Sequence, residues 1–380
     1  MAFEGIEMPQ ELARKLLVEG GTLIVLNVPP GTDFGIDIKS WNTEENFKGI
    51  KMIPPGFHFI HYSAVNEFGD MAPRIGFFHI FKKSEFLVKQ WDKDTEDISA
   101  ESVPEEMVQT FKDNLKNLEK FLGPYPYDTW QQWNELTSQI TPSIVTRCSP
   151  VCGFVYSALE LESCSDASRP RGGEPSKKRK RGGGLSVEEK EENLLPELKP
   201  KPGTELRLTE LPEQHYPDGA TPAEVTKHSL DSTYILDTLE KKMDKPMDVV
   251  GELQLAFICF LAGQSLDAFE HWKKLVTLLC RVDSGIPSRF SIYMEFLKTL
   301  EAQIKHVPEE ILCDIVASNN VVYHNLRKLF ANIEINTEVD DRLKCYSTRM
   351  RDRLKKKFLW DFSDLQEEED DEAPVVVYVE

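Results

Sequence analysis

The residues Gly251–Cys280, GELQLAFICFLAGQSLDAFEHWKKLVTLLC, constrain this chain more than any other stretch. They hold its densest apolar content, broken once at Gly263-Gln264-Ser265. Before the break Leu253, Phe257, Phe260 and Leu261 recur at helical spacing. After it Phe269, Trp272, Val276 and Leu279 step by three and four residues, the rhythm of a buried helix face. A glycine just past one apolar run and a serine just before the next predict a helix stop and a helix start. The stretch reads as a tight α-hairpin with no face polar enough to stand alone in water, so it belongs in the middle of a domain. Glu252, Asp267, Glu270, Lys273 and Lys274 keep each apolar run too short to span a membrane.

A chain of 380 residues has room for two domains, and 40% hydrophobic content is enough to give each a core. Acidic residues outnumber basic ones 64 to 45, for a net charge of −19. That balance argues against a general nucleic-acid-binding surface and suits a soluble protein that meets other proteins. Seven irregularly spaced cysteines predict free thiols in a reducing compartment. The N-terminal stretch lacks the basic start and long apolar run of a secretory signal, and no lipidation motif is present.

The pattern along the chain changes period once. After a short helix over Glu11–Val18, Thr22–Val28, Gly49–Ile53, Phe57–Tyr62, Arg74–Phe81 and Glu85–Trp91 read as strands. Pro29-Pro30-Gly31 and Pro54-Pro55-Gly56 punctuate them, which predicts a sandwich or barrel of mostly antiparallel strands. Val108, Phe111, Leu115, Leu118 and Leu122 then predict one amphipathic helix that stops at Gly123-Pro124. Asp128 is placed to cap a second helix carrying Trp130, Trp133, Leu136 and Ile140, and the two are expected to pack on an open face of the sheet. Residues 163–192 are rich in Ser, Gly, Pro, Glu and basic side chains and are expected to be disordered.

An extended stretch, Leu195–Leu211, leads to Thr221-Pro222-Ala223-Glu224, a capping box with proline at the first helical position. From there to Trp360 the chain reads as helices, with a further start at Val307-Pro308-Glu309-Glu310. The last helix carries Val339, Leu343, Tyr346, Met350 and Leu354. The expected fold class is α+β. A β-rich sandwich-like domain with packed helices (1–160) is followed by a basic linker (161–194), an all-α domain (195–362) and a flexible acidic tail with a β-prone end (363–380).

Candidate chemistry is sparse. His58, His61 and His79 suggest a metal group, but strand positions three apart face opposite sides of a sheet, so His58 and His61 cannot share an ion. Cys148, Cys152 and Cys164 lack the second tight pair of a zinc site. The chain has no GxGxxG, phosphate loop, GxSxG or HExxH, and Gly182-Gly183-Gly184 reads as flexibility. His271 beside Trp272 reads as a satisfied structural histidine. Asp33 and Asp37 lack the surroundings that would make one of them an acid at neutral pH. No catalytic residue, cofactor site or metal site is assigned. Lys177–Arg181 is either a nuclear localisation element or a solvated run, and the cations from Arg349 to Lys357 complement a helix dipole.

The C-terminus is the exception. After six acids, Glu367–Glu372, and Pro374, the residues Val375, Val376, Val377, Tyr378 and Val379 are β-branched or aromatic throughout. In an all-helical domain such a segment has no partner. It is expected either to add to an exposed sheet edge of another protein, or to be a frayed tail whose valines pack on the last helix while the acidic run serves solubility or pairs weakly with Arg349–Lys357.

Seven stretches resemble one known family: GTDFGID (31–37), FKGIKMIPPGFHFIHYS (47–63), FLGPYPY (121–127), ELPEQHYPDGATPAEVTKHSLD (210–231), GELQLAFICFLAG (251–263), AFEHWKKLVTLLCR (268–281) and KKFLWDF (356–362). Long, in order and spread over both domains, they are similar to the A1 cistron-splicing factor family of spliceosomal U5 snRNP assembly factors. The resemblance covers residues 10–160 and 195–362 and leaves the KKRKR run outside. It implies a non-enzymatic placeholder that occupies the central scaffold protein of the U5 particle, held by its RNase H-like and Jab/MPN-like domains, and later yields to an RNA helicase. It carries expectations of mRNA splicing, of nuclear and cytoplasmic residence, and of no cofactor, no membrane and no direct nucleic-acid contact. Two other readings are a general helical-repeat adaptor and a hydrolase whose catalytic residues are dispersed along the chain. Ala268-Phe269-Glu270-His271-Trp272 has the flavour of a tetratricopeptide hairpin, but no second copy follows at a period of about 34 residues.

Overall fold

Proline and glycine cut the first hundred residues into short strands, and these build two stacked sheets. The computed structural model describes residues 9–66, 68–99, 101–163, 198–308, 320–362 and 365. Helix α1 (Gln10–Glu19) precedes β1 (Gly21–Leu26), β2 (Asp33–Ile36), β3 (Lys39–Asn42), β4 (Gly49–Ile53), β5 (Gly56–Ser63), β6 (Ile75–Phe81), β7 (Phe86–Asp92) and β8 (Asp97–Ile98). There follow α2 (Glu105–Asp113), α3 (Leu115–Leu118), β9 (Leu122–Pro124), α4 (Trp130–Thr137), α5 (Pro142–Cys148) and β10 (Val155–Tyr156).

One sheet has the order β8-β7-β1-β4-β9 and the other β10-β6-β5-β2-β3. Most pairs are antiparallel, but β1 with β7 and β4 with β9 are parallel, because long crossovers rather than hairpins join them. Side chains alternate as a pleat requires. Leu23, Ile50 and Ile53 meet Phe34, Ile60 and Tyr62 between the sheets, while Ile24 and Val88 face outward onto Val108, Phe111, Leu115 and Leu118.

Three expectations needed correction. The helix drawn through Val108–Leu122 breaks at Asn114 and ends in a 3-10 turn, Glu119–Phe121, before β9. Backbone bonds to β4, from Lys48 N to Phe121 O (3.0 Å) and from Tyr125 N to Lys51 O (2.9 Å), draw that segment into the sheet and override its period. The two helices share no face of one sheet. The α2–α3 pair covers the first sheet, whereas α4 sets Trp133 and Leu136 against Phe57 and Phe59 of the second. Asp128 does not cap α4; it lies 3.4 Å from Lys39. The hairpin β2–β3 was not anticipated. Its two-residue turn, Asp37-Ile38, has Asp37 at φ 59, a left-handed conformation that aspartate tolerates.

After β10 come β11 (Leu161–Ser163) and β12 (Leu198–Pro200), then α6 (Pro222–Leu230), α7 (Thr233–Glu240), α8 (Asp248–Leu261), α9 (Leu266–Cys280), α10 (Phe290–Ile304), α11 (Val321–Ile335) and α12 (Asp341–Phe358). The Thr221–Glu224 capping box is formed in both directions. The α8–α9 hairpin starts its second helix at Ser265, whose hydroxyl accepts from Ala268 N (3.3 Å). The left-handed residue of its turn is Gln264 (φ 57); Gly263 is needed because a Cβ there would meet Cys259 O at 2.5 Å. Gly251 lies inside α8, where glycine costs about 1 kcal/mol relative to alanine. It lets the α4–α5 turn close in, since a Cβ would meet Ile144 Cδ1 at 2.3 Å and Gln139 O at 2.4 Å.

Trp272 is fully buried, its indole N–H donating to Gln303 Oε1 (2.8 Å). The largest apolar cluster runs from Phe57, Phe59, Trp133, Leu136 and Ile144 through α8, α9, α10 and α11. Thus α4 and α5, which lie in the first half of the sequence, pack into the helical core. The body of the basic linker with Cys164 and Lys177–Arg181, the helix start at Glu309-Glu310, the run Glu367–Glu372 and Val375–Val379 lie outside the described residues.

Candidate functional site

Among the described residues two buried carboxylates and one exposed basic face stand out. The first centre is Asp37. Its Oδ2 accepts from His58 Nδ1 (2.8 Å) and from the Tyr125 hydroxyl (2.6 Å), and its Oδ1 accepts from Phe59 N (3.1 Å). An aspartate–histidine pair of this kind resembles half of a nucleophilic triad, but the other nitrogen, Nε2, lies 2.7 Å from the Pro54 carbonyl. Both ring nitrogens are held by oxygen atoms of the protein, so the ring orients no nucleophile. The side chains of Asp37 and His58 are completely inaccessible, and His58 is stacked on Trp130. Burial, reinforced by Asp37, pushes the Tyr125 phenol far up, so it remains a donor.

His58 and His61 do point to opposite faces of β5. His61 donates from Nε2 to the Asp37 carbonyl (3.2 Å). Burial first and the nearby Arg74 second push His61 down to about 3, so it is neutral at physiological pH. His79, paired in register with His58, bonds instead to Glu85 (3.0 Å). Among the described residues no cluster of three or more His, Cys, Asp or Glu side chains could hold a metal ion. Asp33 pairs with Arg74 (2.8 Å), which also donates to the Ala262 carbonyl (3.1 Å) and so ties the second sheet to the α8–α9 turn.

The second centre is Glu252, inside α8 and fully buried. Arg147 Nη1 (2.7 Å) and the Thr209 hydroxyl (2.7 Å) donate to its Oε2, while Thr209 N (2.6 Å) and His271 Nε2 (3.0 Å) donate to its Oε1. Burial drives the carboxyl upward, but the hydrogen bonds from His271 and Thr209 outweigh it and hold Glu252 down at about 2. The centre joins four separate segments: α5, α8, α9 and the extended strap 198–211. Arg207 fastens the same strap by donating to the Thr146 carbonyl (2.7 Å) and the Ser149 carbonyl (2.6 Å). His271 is therefore the structural histidine expected, while Glu252, Arg147 and Thr209 were missed. The available signal was a glutamate in the most apolar helix of the chain, a position that an acid occupies only when paired.

The exposed face belongs to α12, where eight of 18 residues are basic. Leu343, Met350 and Leu354 are buried on one side. On the other, Arg349 and Lys356 are exposed and have no ion-pair partner among the described residues, whereas Arg351 pairs with Glu334 (3.0 Å) and Arg353 with Glu301 (2.8 Å). A groove of about 740 Å³ lies between α4, α10 and α12, lined by Trp130, Glu135, Lys298, Lys305, Tyr346 and Arg353. Cys148 is buried with its thiol pushed up to about 12, first by burial and then by Glu252; Cys152 is exposed, and both are free. No described helix is long and apolar enough to cross a membrane. The residues singled out for partner binding, Val375–Val379, are not among those described.

Comparison with known proteins supplies what these centres do not. Residues 19–150 match the AAR2 N-terminal domain, and residues 208–363 match the AAR2 C-terminal repeat region. The chain is similar to the Protein AAR2 homolog of Homo sapiens, 39% identical over 98% of this chain and 97% of that protein. The Mus musculus homolog is 38% identical over 98% and 97% respectively. The Caenorhabditis elegans homolog is 33% identical over 94% of this chain and 99% of its own length.

Proposed function

The chain belongs to the AAR2 family of splicing factors, and on that premise we propose that it is a non-enzymatic assembly factor of the spliceosomal U5 snRNP. In this reading it occupies the large central scaffold protein during particle maturation, working in the cytoplasm and the nucleus. The observation that carries the reading is the paired match, in order, of both AAR2 regions across the two halves of the chain. The two buried centres fit it, because their hydrogen bonds tie chain segments together. The contact we assign is strand addition by Val375–Val379 to the scaffold's RNase H-like and Jab/MPN-like domains, supported by the β-branched composition of that segment.

The test has two parts. Co-purification with the tagged chain should return the scaffold protein as the dominant partner; its absence would reject the U5 reading. Truncation after Leu365 should weaken binding to the isolated RNase H-like domain and leave the melting temperature unchanged. Equal affinity before and after truncation would reject strand addition while leaving the U5 reading intact.

A further inference from the structure

In a chain of net charge −19, the eight basic residues concentrated in α12 need an explanation. One side of the helix packs on α10 and α11, and Glu301 and Glu334 neutralise two of its arginines. Arg349 and Lys356, seven residues apart and so on the same side of the helix, remain exposed and unpaired among the described residues. They span about 10 Å of helix at 1.5 Å per residue.

The path of the chain after α12 points to what meets them. Leu359 adopts a left-handed conformation (φ 58) and turns the backbone. Trp360 then packs on Tyr323, with ring centroids 5.8 Å apart, and Phe362 on Phe330, at 5.2 Å. The Asp361 carbonyl between them accepts from Arg327 (3.0 Å) and from the Tyr323 hydroxyl. Phe362 also lies 5.4 Å from Tyr323, so Trp360 and Phe362 together pin the chain against α11 between Tyr323 and Phe330. Helix α12 runs antiparallel to α11, since its Arg351 reaches Glu334 while Phe358 stacks on Trp360 beside Tyr323. Leu365, the last described residue, packs against the same core cluster as α10, α11 and α12. Glu367, the first of six consecutive acids, follows Phe362 by five residues, a reach of at most about 17 Å in extended chain.

We infer that the basic face of α12 is a docking surface for an acidic polypeptide run, and that its resting occupant is the chain's own Glu367–Glu372. Tethering gives this run a high effective concentration at the helix, so individually weak surface pairs act together. The inference concerns the isolated chain and does not depend on the partner proposed above.

Heparin affinity of the purified chain tests it. The intact chain should be poorly retained. Truncation after Leu365 should shift elution to higher salt, and adding Arg349→Glu and Lys356→Glu to the truncation should abolish that gain. The same truncation with Lys82→Glu and Lys93→Glu, on distant turns, should keep it. A chain with the six acids moved to its N-terminus has unchanged net charge and should elute like the truncation. Equal retention of the intact and truncated chains would overturn the inference. So would equal loss with either pair of reversals, or weak retention of the relocated variant, since each shows bulk charge acting instead of docking.

Discussion

Asp37 and Glu252 are both carboxylates closed off inside the protein, yet they join different things. The partners of Asp37, namely His58, Phe59 and Tyr125, belong to the sandwich and its adjoining loop, and all are buried. Those of Glu252 come from α5, α9 and the strap, and all three reach solvent: Thr209 is half-buried, the Arg147 side chain is 25% exposed and that of His271 13%. A sealed centre fails all at once, because nothing can replace a lost partner. A centre whose partners touch water can rehydrate them and fails by degrees.

The sharpest test of this contrast is removal of each carboxylate. Asp37→Ala strands the His58, Tyr125 and Phe59 donors and leaves alanine at φ 59. At about 1–3 kcal/mol for each of the three unmet donors, plus about 1 kcal/mol for the left-handed backbone, it should destabilise by about 4–10 kcal/mol in chemical denaturation. Asp37→Asn, which tolerates the same backbone and keeps an acceptor, should lose less than half of that. Glu252→Gln should cost about 3 kcal/mol at neutral pH, the free energy corresponding to its depressed ionisation. If Glu252→Gln proves the more damaging, the distinction between sealed and wet centres is wrong.

Neither centre was legible in the sequence, though much around them was. The hairpin Gly251–Cys280, the Thr221 capping box and the five strands named from proline and glycine punctuation all rest on local signals, and all are present. What failed was whatever depends on distant residues. Leu122 carries a helical period but joins a sheet because β4 offers it hydrogen bonds. The β2–β3 hairpin turns on Asp37-Ile38, a dipeptide without the glycine that usually marks such a turn. Glu252 reads locally as an interruption of an apolar run. Its meaning comes from Thr209 and Arg147, 43 and 105 residues away in sequence.

Acid should act on His61 and on Glu252 in different windows. His61 is held at about 3 in the fold against 6.5 when free, so below pH 6.5 the unfolded chain takes up a proton that the folded chain refuses. Its contribution is complete above pH 6.5 and falls as the pH drops, by about 2 kcal/mol at pH 5. Glu252 works in a lower window: its contribution is complete above about 4.5 and is lost toward 2. Denaturation midpoints measured from pH 8 to 3 should therefore decline in two stages. His61→Gln should flatten the upper stage and Glu252→Gln the lower. A decline that both substitutions alter alike would mean that these two groups do not act in separate windows.

The smallest effect is expected where the chain leaves the described structure and returns to it. Ser163 at the end of β11 pairs with Leu198 at the start of β12, so residues 164–197 depart and come back at adjacent positions. We expect those 34 residues to serve only as a tether, and the closure entropy of a tether changes by only about 0.6 kcal/mol per doubling of its length. Replacing them with about eight Gly/Ser residues shortens the loop by two doublings and should stabilise the chain by about 1 kcal/mol. The strap beyond Pro200 should be unaffected, since Arg207 and Thr209 hold it to α5 and α8 independently of the loop. Thermal melts of the shortened chain at neutral pH measure the effect. A loss of more than about 2 kcal/mol would have the wrong sign for loop closure and would place packing contacts within residues 164–197.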